Sequence, residues 1–385
     1  MIEHVDIAIV GGGPVGASLA IALEESGLSV AVLEARETLE APDPRALALS
    51  YGTRLILQRL GAWEALEPHA TAIESIHVSQ RGGLGRAVLT AQEAKVPALG
   101  HVVEYGALVA ALVGRLPVCG AEVLTGARVT DVAATSAYGA VRYQRDGAEQ
   151  LLTARLVVLS EGGRSLPAHL RQDKDYGQSA VICTVATQRP HGCRAYERFT
   201  AEGPIALLPL GDAYALVWTT PAAQVADRLA ESDDKFLSQL QAAFGDRQGR
   251  FTACTPRAAF PLKLTLAAAS NSPRILRIGN AAHMLHPVAG QGFNLGVRDA
   301  WSLAQTILDA PRERLGEAAS SNAYTAKRRF DILGGSLMTD ILVEAFSNDR
   351  PLLGSARGAA LALLDLAPPL KTLFARKMMF GAQAW

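Results

Sequence analysis

The chain has 385 residues, enough for a sizeable core and more than one domain. Its 37 basic and 37 acidic residues cancel, so no global field draws it to nucleic acid, and no nucleic-acid partner is expected. The four cysteines, Cys119, Cys183, Cys193 and Cys254, include no Cys-x-x-Cys pair; they suggest neither a zinc site nor a redox dithiol and fit reduced thiols in a cytoplasmic protein. Glu3 and Asp6 stand where a secretory leader would be basic, and no run of about eighteen apolar residues predicts a transmembrane helix.

Residues 5–10 form an apolar strand that runs into Gly11-Gly12-Gly13-Pro14-Val15-Gly16, a Gly-x-Gly-x-x-Gly loop. An Ala/Leu-rich helix over residues 17–25 follows, burying Leu19, Ala20 and Leu23 and stopping at Gly27. A second strand, residues 30–33, ends at Glu34, about twenty residues beyond the glycines. This order suits a dinucleotide. Gly11 allows the tight turn, Gly13 lets a pyrophosphate approach the backbone, and Gly16 lets helix and strand pack closely. The helix N-terminus offers free N–H groups to phosphate, and Glu34 is placed to accept from ribose hydroxyls.

Residues 42–66 begin as a loop at Pro42-Asp43-Pro44-Arg45 and run into a helix carrying Leu55, Ile56 and Leu60. Gly82, Gly83 and Gly85 lie in a polar loop without strand–helix context, so no second dinucleotide fingerprint is present. A helix is predicted over 102–116 after an extended start, then strands over 121–132, 141–143 and 151–159. From about 176 to 265 strands dominate, interrupted by one helix over 222–244, which reads as a mostly antiparallel sheet inserted into the nucleotide-binding domain. Tyr196, Trp218 and Phe260 fall on that sheet and suit a core better than a ligand contact. Residues 276–279 return as a short strand, and from Asn294 the chain is mostly helical.

The second chemical feature is the segment 279–296, Gly-Asn-Ala-Ala-His-Met-Leu-His-Pro-Val-Ala-Gly-Gln-Gly-Phe-Asn-Leu-Gly. A strand ends in small residues, a Pro/Gly loop follows, and a helix opens near Phe293 and Asn294. N–H groups at that helix start can bind an anion, such as the charged edge of a reduced flavin. His283 and His286 stand three apart but lack an acid or cysteine companion and a shared helix face, so no metal is expected. His286 and Pro287 facing a flavin or substrate, and plain loop hydrogen bonding, both stay open.

With Gly11-x-Gly13-x-x-Gly16 and the distant Gly279-Asn280-Ala281-Ala282-His283…Pro287…Gly290-Gln291-Gly292-x-Asn294, the chain resembles the class A flavoprotein aromatic hydroxylases along its whole length. Asn280, where most of that family has Asp, and the run 194–200 followed by Gly203-Pro204 and Leu208-Pro209 resemble the UbiH-type 2-polyprenyl-6-methoxyphenol hydroxylases of the ubiquinone-biosynthesis branch. The resemblance implies roles at matching positions. Gly11, Gly13, Pro14, Val15, Gly16 and Glu34 would hold FAD; Arg45 would lie near the flavin and its pyrophosphate; Glu104 would meet the flavin chain. A Val129 amide would meet the adenine. Gly279 and Asn280 would lie at the ribityl chain or pyrophosphate. Gly290, Gln291, Gly292, Phe293 and Asn294 would cradle the pyrimidine edge, the last two through their N–H groups. Glu161 stands in Ser160-Glu161-Gly162-Gly163-Arg164-Ser165, where the family has Ala-Asp-Gly-x-x-Ser; it keeps the charge, adds a methylene, and by the resemblance would contact the cofactor, FAD or NAD(P)H.

The implied fold is α/β: a Rossmann-like FAD-binding domain with an inserted antiparallel β-sheet substrate domain and a helical C-terminal segment, like p-hydroxybenzoate hydroxylase. The FAD domain would take residues 1–175, with the polar loop region 75–100 on the substrate side. The substrate domain would take 176–270, the return to the FAD domain 271–310, and the helical region 311–385. The resemblance implies a monooxygenase that uses NAD(P)H and O2, through a flavin C4a-hydroperoxide, to hydroxylate a polyprenyl phenol. Another ring position, a small soluble phenol, a prenyl reductase sharing the fold, or an FAD-retaining scaffold of a quinone-biosynthesis complex are the alternatives. Arg357, Lys371, Arg376 and Lys377 lie among apolar residues near the C-terminus, a pattern that suits an anionic membrane surface, a partner or packing on the chain's own domain. The expected location is cytoplasmic, peripheral to the inner face of the membrane. The oligomeric state, a homo-oligomer included, is left open.

Overall fold

A computed structural model describes the chain except residues 1–2, 41–42, 44, 84, 163–170, 268–271, 285–290, 347–350 and 382–385; of residues 3, 171–172, 291, 333, 335–346, 351–357 and 359 it describes the backbone alone. In chain order come β1 (Glu3–Val10), α1 (Pro14–Ala22), β2 (Val30–Leu33), β3 (Ala46–Ser50), α2 (Tyr51–Arg59), α3 (Trp63–Leu66), β4 (Thr71–Ile73), β5 (Ser75–Gln80), β6 (Arg86–Thr90), α4 (Ala91–Ala94), β7 (Gly100–Glu104) and α5 (Tyr105–Val113). Then follow β8 (Glu122–Leu124), β9 (Arg128–Ala134), β10 (Gly139–Arg145), β11 (Ala148–Leu159), β12 (Arg171–Thr187), β13 (Arg194–Thr200), β14 (Gly203–Leu210) and β15 (Ala213–Pro221). The rest is α6 (Val225–Ala230), α7 (Asp233–Phe244), β16 (Phe251–Cys254), β17 (Ala258–Ala267), β18 (Ile275–Arg277), β19 (His283–Met284), α8 (Gln291–Leu308), α9 (Ala318–Phe346), α10 (Pro351–Leu366) and α11 (Pro368–Phe380).

The second half of β1, residues 7–10, is continuously apolar because both its faces are covered. Ile7, Ile9, Leu19 and Val297 pack into one cluster on the helix side, and Ala8, Val10, Val141 and Val157 into another on the far side. The sheet order is β8-β2-β1-β11-β10-β9, with β18 also on β11. The β1–β2, β1–β11, β2–β8 and β11–β18 pairs are parallel, while β9–β10–β11 is an antiparallel meander. Strand β18 thus returns the chain to the first sheet, as its sequence predicts.

The second sheet runs β19-β17-β12-β15-β14-β13-β5-β6, with β16 on β12, and is antiparallel except between β13 and β5. Residues 75–100, expected as a polar loop region, hold β5, β6 and α4, and the two strands extend this sheet. The helix expected over 222–244 is two, divided because Ser232 caps α7 by accepting from the Lys235 N–H at 3.4 Å. Strand β3 stands where a loop running into a helix was expected. It pairs with β7 across Leu47–Val103 and Leu49–His101.

The outer strand β6 is covered by α10. Asp365 accepts from the Val88 N–H at 3.1 Å, and Gly85 and Gly358 let the two backbones touch. Lys371, expected among the basic residues of the C-terminal segment, is buried and pairs with Glu93 at 2.7 Å and Asp365 at 3.4 Å. It ties α11 to α4. With Ala375, Met379 and Phe380 buried beside it, α11 packs on its own domain.

Candidate active site

The glycine loop is shaped by close contacts on one side and space on the other. A Cβ on Gly16 would lie 2.0 Å from the Gly11 carbonyl oxygen, and one on Gly11, where φ is +107°, would lie 2.9 Å from the Glu161 backbone. A Cβ on Gly13 would meet nothing within 4 Å. The loop is therefore tight where α1 meets the sheet and open where a ligand would approach. Glu34 accepts from the Gly12 N–H at 2.9 Å and from Arg36 Nε at 2.9 Å. Burial pushes its carboxyl up, but the Arg36 bonds and charge outweigh this and hold it below the usual carboxylate range.

Opposite α1, the first turn of α8 approaches the loop. Val15 packs between Gly279 and Gly296, whose Cβ positions would lie 3.2 and 2.9 Å from its methyl groups. The Asn294 side chain is committed to structure: Oδ1 accepts from the Ser50 N–H and Nδ2 donates to the Ala48 carbonyl, each at 2.8 Å. It stitches α8 to β3. Gly292 and Phe293 lie in the first turn, where helix amides lack an intrahelical acceptor.

Behind this turn sits a buried charge network that the sequence reading did not find. Asp299 accepts from His283 Nε2 at 2.6 Å, the Gly279 N–H at 2.9 Å and Arg328 Nε at 2.7 Å. Arg328 also pairs with Asp331 at 2.5 Å, and Arg298 Nε donates to Asp331 at 3.0 Å. Burial pushes the Asp299 carboxyl up, but His283 and Arg328 prevail and lower it to about 2. His283 is thus a positioning group; His286 and Pro287 lie outside the described residues, as does Gly290, and the Gln291 side chain is not described. Among the described residues, no three His, Cys, Asp or Glu side chains cluster as metal ligands.

One cavity of about 1430 Å³ joins these parts. Its walls include Gly11, Gly13, Pro14, Val15, Glu34, Arg45, Val129, Glu161, Asn280, Gly292, Phe293 and Asn294, which come together from segments far apart in sequence. Gly16 and Gly279 lie behind this wall and shape it. Glu104 is exposed at the N-cap of α5 and does not line the cavity. Arg45 is clamped by Asp43, with Nη2 to Oδ2 at 2.5 Å, and its guanidinium lies over Tyr105 at 5.0 Å and Phe260 at 5.3 Å. Asp43, which the sequence places only in a loop, and Tyr105 hold it there. Tyr196 and Trp218 are core residues, whereas Phe260 is partly exposed at the cavity wall.

The far end of the cavity is apolar. Ile76 and Val78 of β5, Leu89 of β6, Leu208 of β14 and Leu262 of β17 line one side, and Leu361, Leu364, Phe374 and Met378 of α10 and α11 line another. The charged residue on this sheet wall is Glu197 of β13.

Comparison with known proteins agrees with this geometry. A family model for the FAD binding domain matches residues 4–330. Ubiquinone hydroxylase UbiL of Rhodospirillum rubrum is 37% identical over 97% of this chain and 89% of its own. The 3-demethoxyubiquinol 3-hydroxylase of Escherichia coli is 31% identical over 96% of this chain and 97% of its own. This chain belongs to the FAD-dependent ubiquinone-biosynthesis hydroxylases. At the level of fold, p-nitrophenol 4-monooxygenase PnpA from Pseudomonas putida superposes with a TM-score of 0.82 at 18% identity, covering 99% of this chain and 100% of that one. Like other members of the family, it is a flavoprotein monooxygenase with FAD as its cofactor. The residues present fit that group: the open face of Gly13 leaves room for a pyrophosphate, and the Glu34 carboxylate lines the same end of the cavity.

Proposed function

We propose that this enzyme hydroxylates the aromatic ring of a polyprenyl phenol in ubiquinone biosynthesis, with electrons from NAD(P)H and one oxygen atom from O2. The observation that carries the reading is the continuity of the cavity. It runs from the glycine loop to an apolar wall, and its volume exceeds the roughly 300–1,000 Å³ of an ordinary small-molecule pocket. When bound, FAD supplies the activation of oxygen, and the chain supplies binding, orientation and exclusion of water. In this reading α1 and Gly13 hold the pyrophosphate, Glu34 the ribose and Val129 the adenine. Arg45 and Asn280 lie along the flavin chain, and Phe293 and Asn294 meet its pyrimidine edge through their backbone amides. The apolar wall takes the prenyl chain and keeps water from the reacting ring.

Such a substrate is supplied from a lipid surface, and the reading places the enzyme at the inner face of the cytoplasmic membrane. Leu363, Leu366, Leu370 and Leu373 are exposed on α10 and α11, the helices whose other faces line the cavity. No helix among the described residues is long and apolar enough to cross a membrane. The direct test is turnover of the holoenzyme with a short-chain prenyl phenol, each nicotinamide in turn, and isotopically heavy O2. One heavy oxygen per product, matched to oxygen consumed, is expected. Oxygen consumption that yields only hydrogen peroxide, at every chain length tried, refutes the reading.

A further inference from the structure

Glu197 presents a carboxylate on a wall that is otherwise built to be dry. It lies in β13, opposite Ala206 of β14 and Val78 of β5, and Ala195 and Phe199 flank it on the same cavity face. Its chain neighbours point the other way: Arg198 donates to the Ala243 carbonyl of α7, and the Tyr196 ring meets Phe244 of α7 edge-on at 5.4 Å. No hydrogen bond or ion pair holds Glu197 among the described residues, so it has no evident structural use. An unpartnered carboxylate in such surroundings is costly to the fold, and a cost retained at a cavity wall points to a ligand that repays it. Burial pushes the carboxyl up to about 7; among the described residues, no charged group on the elements around it acts on it.

We propose that Glu197 is the residue that receives the phenolic hydroxyl of the substrate. Its carboxylate accepts the O–H, fixes the ring against the apolar wall, and can take that proton as electron density moves from the phenol oxygen into the ring. When the hydroxylated ring regains aromaticity, its ring proton goes to the oxygen left on the spent oxygen donor, and the carboxyl returns its own proton to the phenol oxygen. The proposal rests on the ring-hydroxylase reading and adds the group that selects a phenol over its ethers.

Calorimetric titration of the holoenzyme with 2-hexylphenol and with its methyl ether tests this. Wild type is expected to bind the phenol at least about tenfold more tightly than the ether, the gain of a charge-assisted hydrogen bond. Glu197→Leu should bind both alike, with the ether bound no worse than in wild type. Glu197→Gln should keep a reduced preference that no longer rises between pH 6 and 8, where the wild-type preference grows as the carboxyl ionises. If either variant retains FAD and the full wild-type preference across that range, Glu197 is not the receiving group although the substrate reading stands. Should Glu197→Leu lose FAD or both ligands, the Gln variant decides alone by the same criterion. If wild type binds neither compound, or binds them equally, the proposal fails at once, and in the first case the substrate reading fails with it.

Discussion

Gly13 and Gly16 stand in one loop, yet substitutions there should fail in different ways. Gly16→Ala drives a methyl group against the Gly11 carbonyl, which is backbone and cannot yield, so the fold should lose roughly 1–3 kcal/mol or more in urea unfolding. At Gly13 an added Cβ meets no protein atom within 4 Å, so Gly13→Val should be far better tolerated by the fold. Its apoprotein should unfold at the wild-type urea concentration while the purified protein loses its stoichiometric FAD; retained FAD would mean that the pyrophosphate lies elsewhere. Asn280 lies at the cavity wall, where a substitution can test charge instead of space. Asn280→Asp should keep FAD but lower its reduction potential, because the added carboxylate opposes the charge gained on reduction. Spectroelectrochemical titration reads the sign directly, and an unchanged or raised potential removes the electrostatic role. The glycine positions and Glu34 are legible in sequence because their chemistry is local. The Asp43 clamp on Arg45 and the Asn294 stitch to β3 are not, since each depends on which distant backbone or ring lies beside it.

Among elements, the join between the 279–281 turn, α8 and α9 depends on Asp299. Its carboxyl is more acidic folded, at about 2, than its ordinary value of 3.8, so its stabilisation is present above pH 4 and drains away as pH falls toward 2. Asp299→Asn should cost roughly 3–5 kcal/mol near neutrality, since it leaves Arg328 short of a buried counter-charge and weakens the acceptor of His283. Unfolding free energies at pH 7 and pH 3 should show that difference narrowing in acid. A constant difference would mean that packing, not charge, is lost. Periodicity locates most strands of both sheets because each carries its own alternating or fully apolar pattern. It misses β3 because Ala46-Leu47-Ala48-Leu49 is made of helix formers, and pairing with β7 and the Asn294 bonds hold it extended. The Asp299 network joins residues 279 to 331 without a motif to announce it.

In the whole molecule, one cavity is walled by the glycine loop, the broad sheet and α10–α11. The outward leucines give the lipid-surface reading a cleaner test than the basic residues do, because Lys371 is engaged with Glu93 and Asp365. Leu366, Leu370 and Leu373, all more than half exposed, can be changed to Ser with little loss of packing. The triple variant should float less with anionic liposomes and turn over long-chain substrate more slowly, while a short soluble phenol is unaffected. Unchanged flotation would leave those leucines without that role. Helix α10 has a second duty, which follows from its seat on β6. A strand at the rim of a sheet offers its free donors to any other strand that comes near, and Asp365 occupies one of them at Val88. Asp365→Ala should therefore raise light scattering on mild warming before any loss of helix is seen by circular dichroism. If scattering rises only with global unfolding, the cover is not protective. The same helix lines the cavity proposed to take the substrate, so lifting it to admit a longer chain would bare the rim. Accommodation of long lipids and resistance to aggregation would then draw on one set of contacts, and a change that widens the entrance would do so at the expense of solubility.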